Sequence, residues 1–184
     1  MEVKKTAFDG LVIIVPRIFE DNRGYFYESY NQETYKKAGI PYVFIQDNQS
    51  ESVKGVIRGL HYQLAPFAQT KLVRVIKGTV FDVVVDLRKG SSTFGKWYGI
   101  ELSDKNKLQL LVPQGFAHGF SVFSNKVILH YKTDNLYNKD SERGIVYNDP
   151  LLNIDWKIDP KASIVSERDA QLSSFENAEY NFIL

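Results

Sequence analysis

From Val43 onward the sequence is a train of short β-prone segments cut by turn residues, and that regularity limits the possible folds more than any other feature. Val43–Asn48 leads to a polar turn, Val53–Gln63 follows, and Leu72–Ile76 and Val80–Leu87 flank Lys77-Gly78, which reads as a hairpin turn. Trp97–Leu102, Leu108–Val112, Gly119–Phe123 and Val127–Thr133 continue at the short spacing of a sandwich or barrel. Within Val80–Leu87, Phe81, Val83, Val85 and Leu87 share one face, while Asp82, Asp86 and Arg88 share the other.

The N-terminal part is more broken. Residues 11–19 read as a short strand interrupted by Pro16, Asp21-Asn22-Arg23-Gly24 as a turn, and Tyr25–Tyr30 as an aromatic strand. Glu33–Ala38 is expected to be helical and is stopped by Gly39 and Pro41. The C-terminal third is less regular, with short helical turns expected near 168–176. No repeat, low-complexity stretch or linker divides the 184 residues, so one domain spanning 1–184 is expected.

Composition removes several classes of function. A net charge of +1 gives no electrostatic basis for non-specific nucleic-acid binding, so an anionic ligand must be held by locally placed arginines and lysines. The absence of cysteine excludes disulfides, thiolate zinc sites and thiol nucleophiles. The apolar run Leu11–Val15 is far too short for a secretion signal or a membrane span, so a cytoplasmic protein without membrane contact is expected.

The chemistry concentrates in GVIRGLHYQ (55–63), Lys71 and PQGFAHGF (113–120). A histidine among strand formers, a lysine on the next strand and a second histidine after a Gly-rich turn converge only if those strands close on one another. That points to a small β-barrel with a polar interior. His61 shares a face with Gly59 and Gln63, and His118 lies between the small residues Ala117 and Gly119. Tyr131 shares the inward face with Val127 and Leu129, whereas His130 faces outward with Ile128 and Lys132. Spacing alone leaves Lys71 equally readable as a snorkelling surface residue, and either histidine as a structural one.

Together, though, histidine, lysine and tyrosine suit one reaction type. Inverting a carbon beside a ketone needs a base on one face, stabilisation of the enolate oxygen and a proton delivered to the other face. An imidazole titrating near pH ~6.5 can be the base, an ammonium can hold the oxyanion, and a phenol can deliver the proton.

Gly55-x5-His61-x-Gln63 with Lys71-x6-Gly78, and Pro113-x-Gly115-x2-His118, resemble the two motifs of the cupin superfamily. That resemblance implies a mainly β, jelly-roll barrel with short flanking helices. Its metal ligands would be two histidines and a glutamate from the first motif and one histidine from the second. Here Gln63 and Lys71 replace two of them, and an ammonium is a poor neighbour for a divalent ion, so no catalytic metal is expected.

The ordered strings QDNQS (46–50), RGLHYQ (58–63), KLVRV (71–75), VDLR (85–88), PQGFAHGF, Tyr131, ERGI (142–145), NDP (148–150), IDW (154–156) and SERD (166–169) resemble the dTDP-4-dehydrorhamnose 3,5-epimerase family over nearly the whole chain. The resemblance implies that His61 is the catalytic base, oriented by Asp169, that Tyr131 is the proton donor, and that Lys71 lies near the C4 oxygen of the sugar. It implies sugar contact by His118, and contact with the deoxythymidine diphosphate or its surroundings by Arg23, Glu28, Gln46, Asn48, Arg58 and Glu142, with Phe19 stacking on the base. It also implies no metal or organic cofactor, a dTDP-linked 4-keto-6-deoxy sugar as substrate, and a homodimer exchanging N-terminal strands, so that Arg23 and Glu28 serve the partner's site. Two departures stand out: Arg168 sits beside the dyad aspartate where lysine is common, and Lys157 follows IDW where proline is common. Arg17, Arg88 and Arg143 are expected to be solvated surface charges, whereas Arg23 and Arg58 suit phosphate oxygens.

Overall fold

The computed structural model describes residues 1–159 and 162–184. Its elements in chain order are β1 (Glu2–Lys5), β2 (Val12–Val15), β3 (Phe19–Asp21), β4 (Gly24–Phe26), α1 (Gln32–Lys37), β5 (Gln46–Val53), β6 (Ile57–Gln63), β7 (Lys71–Lys77) and β8 (Thr79–Asp86). They continue with β9 (Trp97–Ser103), β10 (Gln109–Val112), β11 (Phe116–Val122), β12 (Lys126–Thr133), β13 (Glu142–Gly144) and α2 (Glu167–Ala170). No helix among the described residues is long and apolar enough to cross a membrane.

Eleven strands form a six-stranded sheet, β1-β2-β10-β7-β12-β5, and a five-stranded sheet, β13-β6-β11-β8-β9, in a cupin-type jelly roll, and β3 and β4 pair with each other. Side chains alternate across each strand, so a strand covered on both faces must be apolar on both. This accounts for β8: Val80 and Val84 enter the core between the sheets, while Val83 and Val85 pack outward under Leu152, Trp156 and Phe182 of the C-terminal segment. The outer face of the six-stranded sheet is covered in part by Tyr35 of α1 and by Ile40, packed on Ile14, Leu72 and Leu111. Asn31 caps α1, its side chain accepting from the Glu33 and Thr34 amides.

Several local expectations need correction. Lys77-Gly78 is not a hairpin turn: β7 pairs with β10 and β12, whereas β8 pairs with β9 and β11, so the chain changes sheet there. Gly78 makes the change at φ 87°, with the Lys126 carbonyl and the Ser124 hydroxyl where a Cβ would lie. The aromatic strand ends at Phe26, before Tyr27–Tyr30. The polar run after Asn48 is strand rather than turn. β5 continues to Val53 at the sheet edge and, among the described residues, pairs only with β12, so polar residues on both its faces carry little cost. Arg88 is buried, not solvated; its Nε and Nη2 donate to the two oxygens of the buried Asp86 at 2.9 and 2.8 Å.

Candidate active site

The core between the sheets is apolar toward one end and polar toward the other, and single strands supply both. Val73 and Val75 follow Lys71 on β7, Val127 and Leu129 lead to Tyr131 on β12, Phe116 and Phe120 bracket His118 on β11, and Val80 and Val84 bracket Asp82 on β8. With a period of two, each polar group shares the inward face of its apolar neighbours. His61, Gln63, Lys71, His118, Tyr131 and Glu142 thus line one cavity of about 150 Å³. A second cavity of about 470 Å³ shares His61 and Tyr131 with the first and adds Ser50, Arg58, Ser166 and Arg168.

His61 and Tyr131 belong to different sheets, so they approach this space from facing walls. His61 Nε2 donates to Asp169 Oδ1 at 2.9 Å, and the Gly59 amide donates to Asp169 Oδ2 at 2.9 Å. A carboxylate only accepts, so in the neutral ring the proton of His61 sits on Nε2, and Nδ1 has no partner among the described residues. Burial alone would raise the Asp169 carboxyl, but hydrogen bonds from His61, Gly59 and Ser166 outweigh it and hold the group below the usual carboxylate range. Gly59 is required here: at φ 114° it lies so close to Gly119 and the His118 carbonyl that a Cβ would come within 2.7 Å of both. Asp169 is presented by α2, whose N-cap Ser166 accepts from the Asp169 amide.

On the facing wall, the Lys71 ammonium lies 5.8 Å from the centre of the Tyr131 ring. Burial lowers Lys71 to about 8, and the charges of Asp82 and Glu142 oppose that fall. Burial and the Glu142 charge raise Tyr131, against a smaller opposite effect of Arg58, so its hydroxyl holds its proton. Glu142 ties the rim together, accepting from Tyr137 OH at 2.8 Å and from Arg168 at 2.5 Å. Desolvation would raise its carboxyl; those two partners hold it low.

Arg58 is held by Ser52 Oγ at 2.9 Å and the Glu51 carbonyl. Asn48 stands directly opposite Tyr131 in the β5–β12 register and accepts from the Gln46 side chain, so both face the same way as Tyr131. Gln63 is spent on the neighbouring loop, donating to the Phe67 and Leu136 carbonyls and accepting from the Asn138 amide. His130 lies on the far face of its sheet, beside Asp47 at 3.9 Å. Phe19, Arg23 and Glu28 are not brought to this cavity within the chain. Phe19 and Arg23 line a separate cleft at the β3–β4 hairpin, Arg23 pairs with Asp21, and Glu28 accepts from Asn31.

The sequence reading missed Asp82 and Tyr137. An acid in a strand of valines was a visible signal for Asp82. Tyr137 sits in a loop with no pattern to betray it.

A model of the dTDP-4-dehydrorhamnose 3,5-epimerase family matches residues 5–177. The chain belongs to this family. It is therefore an enzyme of the isomerase class. The dTDP-4-dehydrorhamnose 3,5-epimerase of Shigella flexneri is 50% identical over 181 residues, covering 98% of this chain and 99% of that protein. Among solved structures, dTDP-6-deoxy-D-glucose-3,5-epimerase RmlC from Legionella pneumophila, in complex with dTDP-4-keto-L-rhamnose, superposes with a TM-score of 0.91 at 46% identity, covering 96% of this chain and 93% of that one. A double mutant of ChmJ, a 3′-monoepimerase from Streptomyces bikiniensis in complex with dTDP, superposes with a TM-score of 0.86 at 27% identity, covering 93% and 86%. Against the family pattern, Lys157 has φ 59°, a backbone conformation closed to the proline expected there.

Proposed function

We propose that this protein is a cofactor-independent epimerase that inverts dTDP-4-dehydro-6-deoxy-D-glucose at C3 and C5, giving dTDP-4-dehydro-β-L-rhamnose for dTDP-L-rhamnose synthesis. The observation that carries the reading is that a carboxylate-backed imidazole, His61, and a protonated phenol, Tyr131, face one cavity from opposite sheets. Lys71 lies on the Tyr131 side of it.

His61 takes the proton from the carbon next to the ketone through Nδ1, and Asp169 stabilises the imidazolium that forms. Charge moves onto the C4 oxygen, where the Lys71 ammonium meets it in an enclosed space that strengthens the attraction. Tyr131 delivers a proton to the opposite face of the same carbon. Once water has taken the proton from His61 and returned one to Tyr131, the same groups serve the second inversion, because C3 and C5 both flank the ketone. The larger cavity, with Arg58 and Arg168 on its walls, suits a diphosphate, and His118 contacts the sugar. Gln46, Asn48 and Glu142 complete the nucleotide-sugar surroundings.

The same reading places the chain, as one domain over 1–184, in a cytoplasmic homodimer that exchanges N-terminal strands. Phe19 and Arg23 are exposed and outside their own cavity, as residues that complete a partner's site must be. The test is to incubate the purified protein with dTDP-4-dehydro-6-deoxyglucose and trap the product with a ketoreductase specific for the rhamno configuration. Formation of dTDP-L-rhamnose supports the proposal. Recovery of the starting configuration alone defeats it.

A further inference from the structure

His61 and His118 stand opposite each other in the β6–β11 register, and each ring gives its Nε2 to a buried carboxylate. For His118 the carboxylate is Asp82 of β8, fully buried, with Oδ1 and Oδ2 at 3.0 and 2.9 Å from the same nitrogen. No other side chain or amide among the described residues bonds that carboxylate, and His118 Nδ1 has no partner among them. A buried charge with a single hydrogen-bonding partner is costly, and replacing it with an apolar residue is often neutral or stabilising. Its position gives it another use. Asp82 shares the inward face of β8 with Val80 and Val84, and its charge acts on Lys71 of the facing sheet.

We infer that Asp82 is a positioning residue of this site, fixing His118 with Nδ1 free for the substrate and supplying the buried negative charge that keeps Lys71 an ammonium. The inference rests on the function proposed above for Lys71 and His118. The titratable groups around Lys71 are His61 on β6, Asp82 on β8, His118 on β11, Tyr131 on β12, Tyr137 in the loop that follows and Glu142 on β13. Of the two acids among them, Glu142 is already engaged by Arg168 and Tyr137, which leaves Asp82 as the acid without a cationic side chain of permanent charge beside it. Because Nε2–H is donated to Asp82, neutral His118 offers Nδ1 as an acceptor, and protonated His118 offers it as a donor.

The test uses the whole protein in ligand-free form and measures three things: the nitrogen spectrum of the His118 ring, the titration of Lys71 by carbon NMR of lysine-labelled protein assigned with Lys71→Met, and turnover. In the wild type the neutral His118 ring should carry its proton on Nε2. Asp82→Asn can keep the hydrogen bond but loses the charge, so the Lys71 midpoint should fall by about one pH unit, equivalent to about tenfold in proton affinity. The alkaline limb of kcat should move down with it, kcat near pH 8 should drop about fivefold, and the affinity for dTDP should stay within about twofold.

An unmoved Lys71 midpoint in Asp82→Asn overturns the inference, and so does a wild-type His118 ring protonated on Nδ1. If Asp82→Asn does not fold, the wild-type ring spectrum still decides. A wild type without turnover defeats the proposed function, while the two NMR measurements test Asp82 independently of it.

Discussion

Asp169 reaches back 108 residues in sequence to hold His61, its Oδ1 2.9 Å from the imidazole Nε2, while its other oxygen takes the Gly59 amide on the same strand. One carboxylate thus fixes both the ring and the backbone that carries it. Asp169→Asn should lower turnover by about 10²–10⁴-fold, because the imidazolium loses its counter-charge and the ring its fixed tautomer, with little change in dTDP affinity. Steady-state kinetics beside dTDP titration calorimetry separates the two effects.

Asp169→Ala adds a cost in stability. It leaves the buried Gly59 amide without its acceptor, worth about 1–3 kcal/mol. The wild-type carboxyl lies below its ordinary 3.8, so its contribution is complete above that pH and is lost as the pH falls through the lower folded value. Urea unfolding of both proteins should differ at neutral pH and converge in strong acid.

Lys71 stands the other way round, its proposed function opposed to stability. Folding lowers it from 10.5 to about 8, so between those values the unfolded chain binds a proton that the folded chain does not. Stability therefore rises with pH across that window, and below it the folded state bears the full cost of an enclosed ammonium. Lys71→Met should raise stability at pH 7 by about 1–3 kcal/mol, allowing for solvent screening, and remove the slope between pH ~8 and ~10. It should cost about 10²-fold or more in turnover, and wild-type turnover should decline as Lys71 deprotonates above about 8.

Tyr131→Phe removes the proposed proton donor and keeps the ring that packs with Lys71. Hydrogen exchange by His61 should persist while completed inversion falls by about 10²-fold or more. Equal losses in exchange and inversion contradict the assignment.

Gly78→Ala tests the sheet change. The added methyl meets the Lys126 carbonyl at 2.3 Å and the Ser124 hydroxyl at 2.4 Å, at a φ of 87° that side chains rarely adopt. The expected loss is about 2–4 kcal/mol in urea unfolding.

The strands were legible wherever burial forces alternation, as in β8 and β12, whose faces differ or are apolar throughout. β5 was not, because an edge strand pairs on one side and tolerates QDNQSESV on both faces. Gly78 carried the signal of a turn, but a turn residue does not say which strand the next one will pair with. In the site, Tyr131 could be placed inward by its neighbours, whereas the residues beside His61 and His118 left either histidine readable as a structural one. Asp169 could not, since a loop carboxylate so far along the chain has no period linking it to β6; only the resemblance singled it out. Arg88 was misread because a charged side chain gives no sign of a buried partner two residues away.

The most direct test of the shared base is proton NMR of the purified protein with dTDP-4-dehydro-6-deoxyglucose in deuterium oxide, run beside His61→Ala. The account predicts deuterium at both C3 and C5 with the wild type and at neither with the variant, whose dTDP affinity is retained. Label at one carbon only identifies a mono-epimerase, and wild-type exchange rates in His61→Ala contradict the central claim that one histidine deprotonates both carbons.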